Sequence, residues 1–260
     1  MLKPRLIPAL LISNGGLVKT QKFLNPKYVG DPINAVRIFN EKAVDELVVF
    51  DIDATVLGKP PDYKLIGYLA NECRMPLAYG GGVKTTEQIE RIIGLGVEKV
   101  SVSAATVHSI DLISKAASRV GSQSIVVTID VKKTGFPRKY EVVTHNGTIR
   151  TSFNPIAYAA LVEGAGAGEI IINSVDRDGM MQGYDMELIS KICDKISIPM
   201  TILGGAGTLG DIELLWKKQG LIGAAAGSLF VFKGKYRAVL INYPNLAEKS
   251  ELLLRSEFKV

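Results

Sequence analysis

Two stretches of this chain read as copies of one another. In the first half FDIDAT, with Asp51 and Asp53, leads to YGGGV (Gly80, Gly81, Gly82) and then to SVSAA (Ser101 to Ala105). In the second half SVDRDG, with Asp176 and Asp178, leads to LGGAG (Gly204, Gly205, Gly207) and then to AAAGS (Ala224 to Ser228). Both copies leave roughly 28 residues between acidic and glycine turns and about 20 more before the small-residue turn, each typical of one βα unit. Four such units made twice predict a closed (β/α)8 barrel. The doubled turns predict two matching anion sites, and so a substrate with a phosphate at each end. The repeats divide near residues 1–121 and 122–243, inside one domain spanning 1–260.

Length agrees, since 260 residues suit one barrel domain and no Pro/Ser-rich linker or charge run marks a boundary. No apolar run approaches the ~20 residues of a bilayer span. The opening MLKPRLIPALLIS has basic residues and a short apolar run. No small-residue cleavage site follows it, and it fits a first barrel strand better than a signal peptide. Cys73 and Cys193 fall in predicted helices without a CxxC partner, which reads as reduced packing residues in a cytoplasmic protein. The net charge of +5 suits phosphorylated substrates or nucleic acid, and equally a coat of solvated lysines. No basic–aromatic repeat favours nucleic acid, so neither nucleic acid nor membrane is an expected partner.

Short Val/Ile/Leu runs alternate with longer amphipathic segments, the pattern of a helix-covered parallel sheet. Strands are predicted near Leu6–Ile12, Leu47–Asp51, Pro76–Tyr79, Val100–Ser103, Ser124–Asp130, Ile170–Asn173, Met200–Leu203 and Gly223–Ala226. Helices are predicted near Pro32–Asn40, Tyr63–Glu72, Thr86–Leu95, Ser109–Val120, Pro155–Glu163, Met186–Lys195 and Thr208–Lys218. Thr85, Thr86 and Thr208 supply cap chemistry. Lys139–Thr151 predicts a hairpin with a type I′ turn at Asn146-Gly147. The long glycine-bearing segment Asn14–Gly30 predicts a mobile lid.

In such barrels chemistry collects where strands end. Asp51, Asp130, Asp176 and Asp178 all fall at or just after strand ends, and four carboxylates converging on one face is more than capping requires; Asp53 fits a cap equally well. Asp130, closing the apolar run VVTID, is the strongest acid/base candidate, because partial desolvation there tunes a carboxyl. His108 and His145 lie at a helix entry and in the hairpin and look incidental. No His, Cys or Glu cluster has ligand spacing, so neither a metal nor another cofactor is expected. GGAG and AAAGS bring backbone N–H groups close to an anion, and their place on strands seven and eight is the usual phosphate site of the fold. Simple relief of crowding would also select glycine.

These residues resemble the cyclase subunit of imidazole glycerol phosphate synthase. The match runs through DELVVFDI, GGGV, LGVEKVSV, GSQSIVV, the ID at Asp130, GAGEI, SVDRDGMMQGYD and GGAG, nearly the whole chain. The resemblance implies a barrel that takes ammonia from a glutaminase (a class I glutamine amidotransferase subunit) docked beneath it as a heterodimer. That ammonia joins a phosphorylated ribulose-type precursor, closing an imidazole ring in a lyase reaction of histidine biosynthesis. For the site it implies Asp130 as a general acid/base and Lys19 and Asp51 at the substrate. Phosphate contacts fall to Gly82 and Ser103 on one side, and to Asp178, Gly179, Gly205, Gly227 and Ser228 on the other. Arg5, Glu46, Lys99 and Glu169 each precede an apolar strand and match the family's charged ring at the ammonia entrance, although charges at a barrel bottom can also be plain solvated surface.

The resemblance breaks at position 11. The family pairs Asp130 with a second catalytic Asp at the end of strand one, and here that residue is Leu11. Asn14 replaces a further Asp, Ser103 and Ala104 replace an Asn-Thr pair, and the ending SLFVFKGKYRAVLINYP differs. Changed chemistry on a kept scaffold resembles paralogues of O-antigen and other surface-polysaccharide gene sets, in which a cyclase-like barrel and a glutaminase supply ammonia to a separate sugar amidotransferase. A working cyclase and a non-catalytic activator of the glutaminase are the alternatives, and adjacent histidine-pathway or nucleotide-sugar genes would separate the first two.

Overall fold

The computed structural model describes residues 4–256. Among them, eight parallel strands close on themselves: β1 (Leu6–Ser13), β2 (Leu47–Asp51), β3 (Leu77–Gly80), β4 (Lys99–Val102), β5 (Ile125–Thr134), β6 (Glu169–Ser174), β7 (Met200–Leu203) and β8 (Gly223–Ala226). Each pairs with its neighbours in chain order, and β8 returns to β1 through Leu6↔Ala224 and Pro8↔Ala226. The predicted (β/α)8 barrel is therefore the fold.

The alternation within each strand decides what lies inside. Ile7, Ala9, Val48, Ala78, Val126, Ile171, Leu203 and Ala225 form one buried cluster on the barrel axis, with Phe50 packed against it. The intervening residues, such as Leu6, Leu10, Val49, Leu77, Val127, Ile170 and Ile202, face the helices in a second, larger cluster. The two-residue period of a strand produces both layers from one run of apolar residues.

Helices α1 (Pro32–Glu41), α2 (Tyr63–Glu72), α3 (Thr86–Gly94), α4 (Asp111–Val120), α5 (Pro155–Gly164), α6 (Met186–Cys193) and α7 (Leu209–Gln219) cover the outside. Thr85 with Gln88, and Thr208 with Asp211, form reciprocal capping boxes at α3 and α7, satisfying N–H groups that a helix start leaves orphaned. An eighth helix, α8 (Leu246–Arg255), was outside the predicted set. Its start was legible: Asn245 accepts from the Glu248 N–H at 2.9 Å while Glu248 reaches back to the Asn245 N–H at 2.8 Å. The predicted helix Ser109–Val120 begins instead at Asp111, behind a separate short turn of helix at Ala104–His108.

Two segments rise above the barrel. Asn14–Gly30, expected as a lid loop, is instead mostly an antiparallel hairpin of Gly16–Gln21 and Leu24–Gly30, hydrogen-bonded onto β1 through Leu11↔Val18 and Ser13↔Gly16. Its turn is made by Lys22 and Phe23, both with φ above +50°. The second segment follows β5, where Lys139–Thr144 runs back along the strand and pairs with Ile149–Arg150. Asn146 and Gly147 carry φ of 56° and 75° and Thr148 N–H donates to the His145 carbonyl at 3.2 Å, as a type I′ turn requires.

Candidate functional site

The strand C-termini surround a cavity of about 500 Å³ whose floor includes Ala9, Phe50 and Leu203 of the axial apolar cluster. Lys19, Asp51, Gly82, Ser103 and Asp130 line it, as do Asp178, Gly179, Gly205, Gly227 and Ser228. Asp176 does not: its Oδ2 accepts the Lys133 N–H at 2.8 Å and ties the β6 turn to β5. The four carboxylates expected to converge are thus three. Asp53 is structural as well, accepting from Ser13 Oγ at 3.2 Å and the Asn14 N–H at 2.8 Å, which anchors the hairpin turn beside β1. Asp51 has both roles, facing the cavity while its Oδ1 caps the Asp53 and Ala54 N–H groups at 3.0 Å. Burial nevertheless raises its pKa against those two donors.

Asp130 sits on β5 with Asn173 beside it on β6, in register across the sheet. Asn173 Nδ2 donates to Asp130 Oδ1 at 2.9 Å. Burial pushes the Asp130 carboxyl up to about 7, against that hydrogen bond and with help from the nearby Asp178 charge. A group so placed both holds and releases a proton near neutrality, as a general acid or base must. Asn173 Oδ1 is buried without a partner, an acceptor that a ligand donor or the Asp130 proton would satisfy.

The raised pKa has a stability signature. Between the ordinary Asp value of about 4 and the folded value of about 7, the native state holds a proton that the unfolded state releases, so stability falls as pH rises through that window. Asp130→Asn is expected to raise Tm by a few degrees at about pH 8, a gain that vanishes near pH 4. Parallel thermal unfolding at the two pH values checks this, and an equal effect at both would contradict it.

Opposite β5 in the closed strand order stands β1, whose Leu11 faces the cavity. The carbonyl of Ala9, two residues below it, accepts from Lys19 Nζ at 2.5 Å. Lys19 reaches inward from the hairpin and is buried. Burial lowers its pKa to about 8, opposed by the Asp178 charge. Asp178 is in turn raised by burial, against a bond from Thr20 Oγ1 at 2.8 Å and the Lys19 charge. Burial outweighs mutual attraction in both groups, so each gives up its charge more readily than it would in water.

Several glycines of the cavity wall are obligatory. Gly205 has φ of 119° and a Cβ there would stand 2.2 Å from the Gly183 carbonyl oxygen; Gly179 has φ of 66° and a Cβ there would stand 2.0 Å from the Thr20 carbonyl oxygen. No other residue lets the backbone come so close at such a φ. Gly205, Gly227, Ser228 and Gly179 gather on one side, and Gly82 and Ser103 on the side of β3 and β4. The histidines, read as incidental, also border the cavity, and so do Lys84, Asn146 and Asn173. Asn146 Nδ2 donates to the Ile52 carbonyl at 2.9 Å, drawing the type I′ turn and its His145 over the opening. Asn173 closes a predicted strand and was legible there by the same rule as Asp130, whereas His145 and Asn146 reach the cavity only through the lean of the hairpin.

At the opposite end Arg5, Glu46, Lys99 and Glu169 close a ring. Arg5 Nη1 meets Glu46 at 2.5 Å and Arg5 Nη2 meets Glu169 at 2.7 Å. Lys99 Nζ meets the same two carboxylates at 2.8 and 2.9 Å. Thr201 Oγ1 donates to Glu169 at 2.6 Å. Both carboxylates are 5% exposed. Burial works against the Glu169 charge, yet Arg5 and Lys99 hold it below the usual carboxylate range. Each cation bridges both carboxylates, so these residues are a paired network and not solvated surface.

Fold and site together define a (β/α)8 barrel with a buried carboxyl of raised pKa at one end of its axis and a charged ring at the other. Residues 5–237 match the family described as histidine biosynthesis protein, and the chain belongs to that family. A relative from Leptospira interrogans, provisionally named imidazole glycerol phosphate synthase subunit HisF, is 56% identical over 97% of this chain and 99% of its own. One from Vibrio vulnificus, provisionally named subunit hisF3, is 55% identical over 97% of each chain. The Lactococcus lactis protein named imidazole glycerol phosphate synthase subunit HisF without that proviso is 36% identical over 88% of this chain and 89% of its own.

Proposed function

We propose that this chain is the ammonia-using barrel of a glutamine amidotransferase, HisF-like in plan. A glutaminase subunit covers the ring of Arg5, Glu46, Lys99 and Glu169. Ammonia passes the ring, travels the axis, and reacts at the cavity with a ligand held by its phosphates. The apolar axis of Ile7, Val48, Ala78, Val126, Ile171 and Ala225 suits this route, because it passes neutral ammonia and opposes ammonium through the cost of burying a charge. Asp130 handles protons, and Lys19 and Asp51 orient the ligand.

Within this plan the acceptor is inferred to lie outside imidazole formation: the barrel supplies ammonia for sugar amidination in O-antigen or surface-polysaccharide assembly, with a sugar amidotransferase as a further partner. The observation that carries this reading is Leu11, an aliphatic side chain facing the cavity from the strand opposite Asp130, at the position where the resemblance calls for a second carboxylate. The gap between 56% and 36% identity supports a branch separate from the ordinary subunit. The alternative, a working histidine-pathway cyclase, draws support from the family description. The test is to co-purify the glutaminase encoded nearest this chain, measure glutamine hydrolysis with and without the barrel, and then offer the pair the imidazole precursor or a nucleotide sugar with its amidotransferase. Product from the precursor at an ordinary rate would sink the amidination reading, and failure of any glutaminase to bind would sink both.

The two anion sites carry their own expectation. Crystals grown in phosphate or sulfate should show one anion at Gly205 and Gly227 and a weaker one at Gly82, because Ser103 and Ala104 offer fewer side-chain donors than an Asn-Thr pair. Neither site occupied at millimolar phosphate would remove the doubly phosphorylated ligand.

A further inference from the structure

The divergent ending SLFVFKGKYRAVLINYP folds into something the function above leaves unused. Phe232–Lys233 and Ala238–Val239 pair as a small antiparallel hairpin with Gly234 to Arg237 as its loop. It is pinned to the barrel by Leu240 N–H on the Val231 carbonyl and Asn242 N–H on the Phe230 carbonyl, both at 2.9 Å. Arg237 closes the loop, its N–H on the Gly234 carbonyl at 3.0 Å and its φ at 50°. From there its guanidinium carbon lies 4.9 Å from the centroid of the Phe232 ring. Nη2 donates to the Gly179 carbonyl at 3.1 Å and stands 3.5 Å from Ser228 Oγ.

We propose that Arg237 is a phosphate-binding residue of the second anion site, a cation delivered by the C-terminal hairpin to the rim formed by Gly179 and Ser228. The proposal rests on the two-anion reading of the cavity and adds to it the group that makes its two ends unequal. Three observations carry it. Among the described residues no carboxylate pairs with Arg237, so most of its five donors are free for an anion. Lys27, also without a carboxylate partner among the described residues, lies 5.6 Å from the same Phe232 ring; two unneutralised cations gathered there repel one another until an anion arrives. Finally, the Gly179 carbonyl would itself repel a phosphate at this rim, and the guanidinium masks it. Aromatic stacking holds the planar fork ready, which lowers the ordering cost of gripping phosphate oxygens through two parallel bonds. With Lys19 Nζ beside Gly227 from within and Arg237 from outside, the second site presents two cations to a phosphate monoester.

The test is an amide NMR titration of the full-length, nitrogen-15-labelled chain with inorganic phosphate. In the wild type the amides of Gly205 and Gly227 should move at lower phosphate than that of Gly82. Arg237→Ala and Arg237→Gln should each raise the midpoint at Gly205 and Gly227 by about tenfold to a hundredfold, the worth of a charge-assisted bond. Arg237→Lys should fall between, keeping charge and losing the fork. The Gly82 midpoint should stay put in every variant, which also shows that the barrel remains folded. Unchanged midpoints at Gly205 and Gly227 in the Ala and Gln variants would overturn the role of Arg237 alone. No phosphate-dependent shift at either end of the wild type would overturn it together with the two-anion reading.

Discussion

Given ammonium salts and no glutaminase, the protein is expected to close an imidazole ring at least about 100-fold more slowly than a barrel with a carboxylate on both opposing strands. The resemblance pairs two carboxylates across the barrel for this ring closure, and here only one of the two is present. Asp130 is tuned to about 7; Leu11, across the barrel, cannot accept or donate a proton. Losing one member of an acid/base pair costs roughly 10²- to 10⁴-fold. Leu11→Asp should recover part of the deficit, since position 11 already faces the cavity. Asp130→Asn in that background should remove the gain. Rates with ammonium and the imidazole precursor decide the matter, and a wild-type rate equal to an ordinary cyclase would refute this reading of position 11.

The second large effect concerns the ring. Lys99→Ala is expected to leave glutamine hydrolysis by the partner intact while several-fold less ammonia reaches product. Activity driven by free ammonium should change little, because ammonia also enters through the open cavity. The fold should tolerate the change: after loss of Lys99 both carboxylates keep Arg5, at 2.5 and 2.7 Å. Removing Arg5 is a harsher case, because Arg5 makes three of the five hydrogen bonds these cations give to the two carboxylates and a further one to Thr201, and leaving a buried charge short of partners costs up to about 3–5 kcal/mol. Arg5→Ala should therefore lower Tm before it reveals anything about transfer, which makes Lys99→Ala the informative variant. Equal loss of glutamine- and ammonium-driven activity in Lys99→Ala would mean that the ring supports the barrel and gates nothing.

The hairpins show where a linear reading stops. Asn14–Gly30 carries glycines at both ends, which reads as a loose lid, yet Val18, Lys19 and Thr20 are buried and the strand is paired onto β1 through Gly16, Leu17 and Val18. The turn is set by left-handed Lys22 and Phe23, residues with no compositional turn signal, so length and glycine outweighed the alternation of the flanks. His145 lies in a hairpin, away from the ends of the parallel strands where chemistry is expected. Its place at the cavity depends on Asn146 reaching the Ile52 carbonyl, a contact 94 positions away along the chain.

What the sequence determined by itself is whatever depends on period and spacing. Alternating apolar residues fixed the two faces of every strand, caps fixed most helix starts, and the doubled glycine turns marked where the backbone packs too closely for a Cβ. These are local rules of backbone geometry, and they survive in one dimension. The tertiary structure alone decided which polar groups meet. It turned Asp176 onto the Lys133 N–H while leaving Asp51, Asp130 and Asp178 in the cavity. It also joined Arg5, Glu46, Lys99 and Glu169 into one closed network and laid Arg237 over Gly179. The reason is physical: a charged side chain several bonds long is positioned by partners from distant strands and by how much water is excluded around it, and neither quantity is written in the residues next to it.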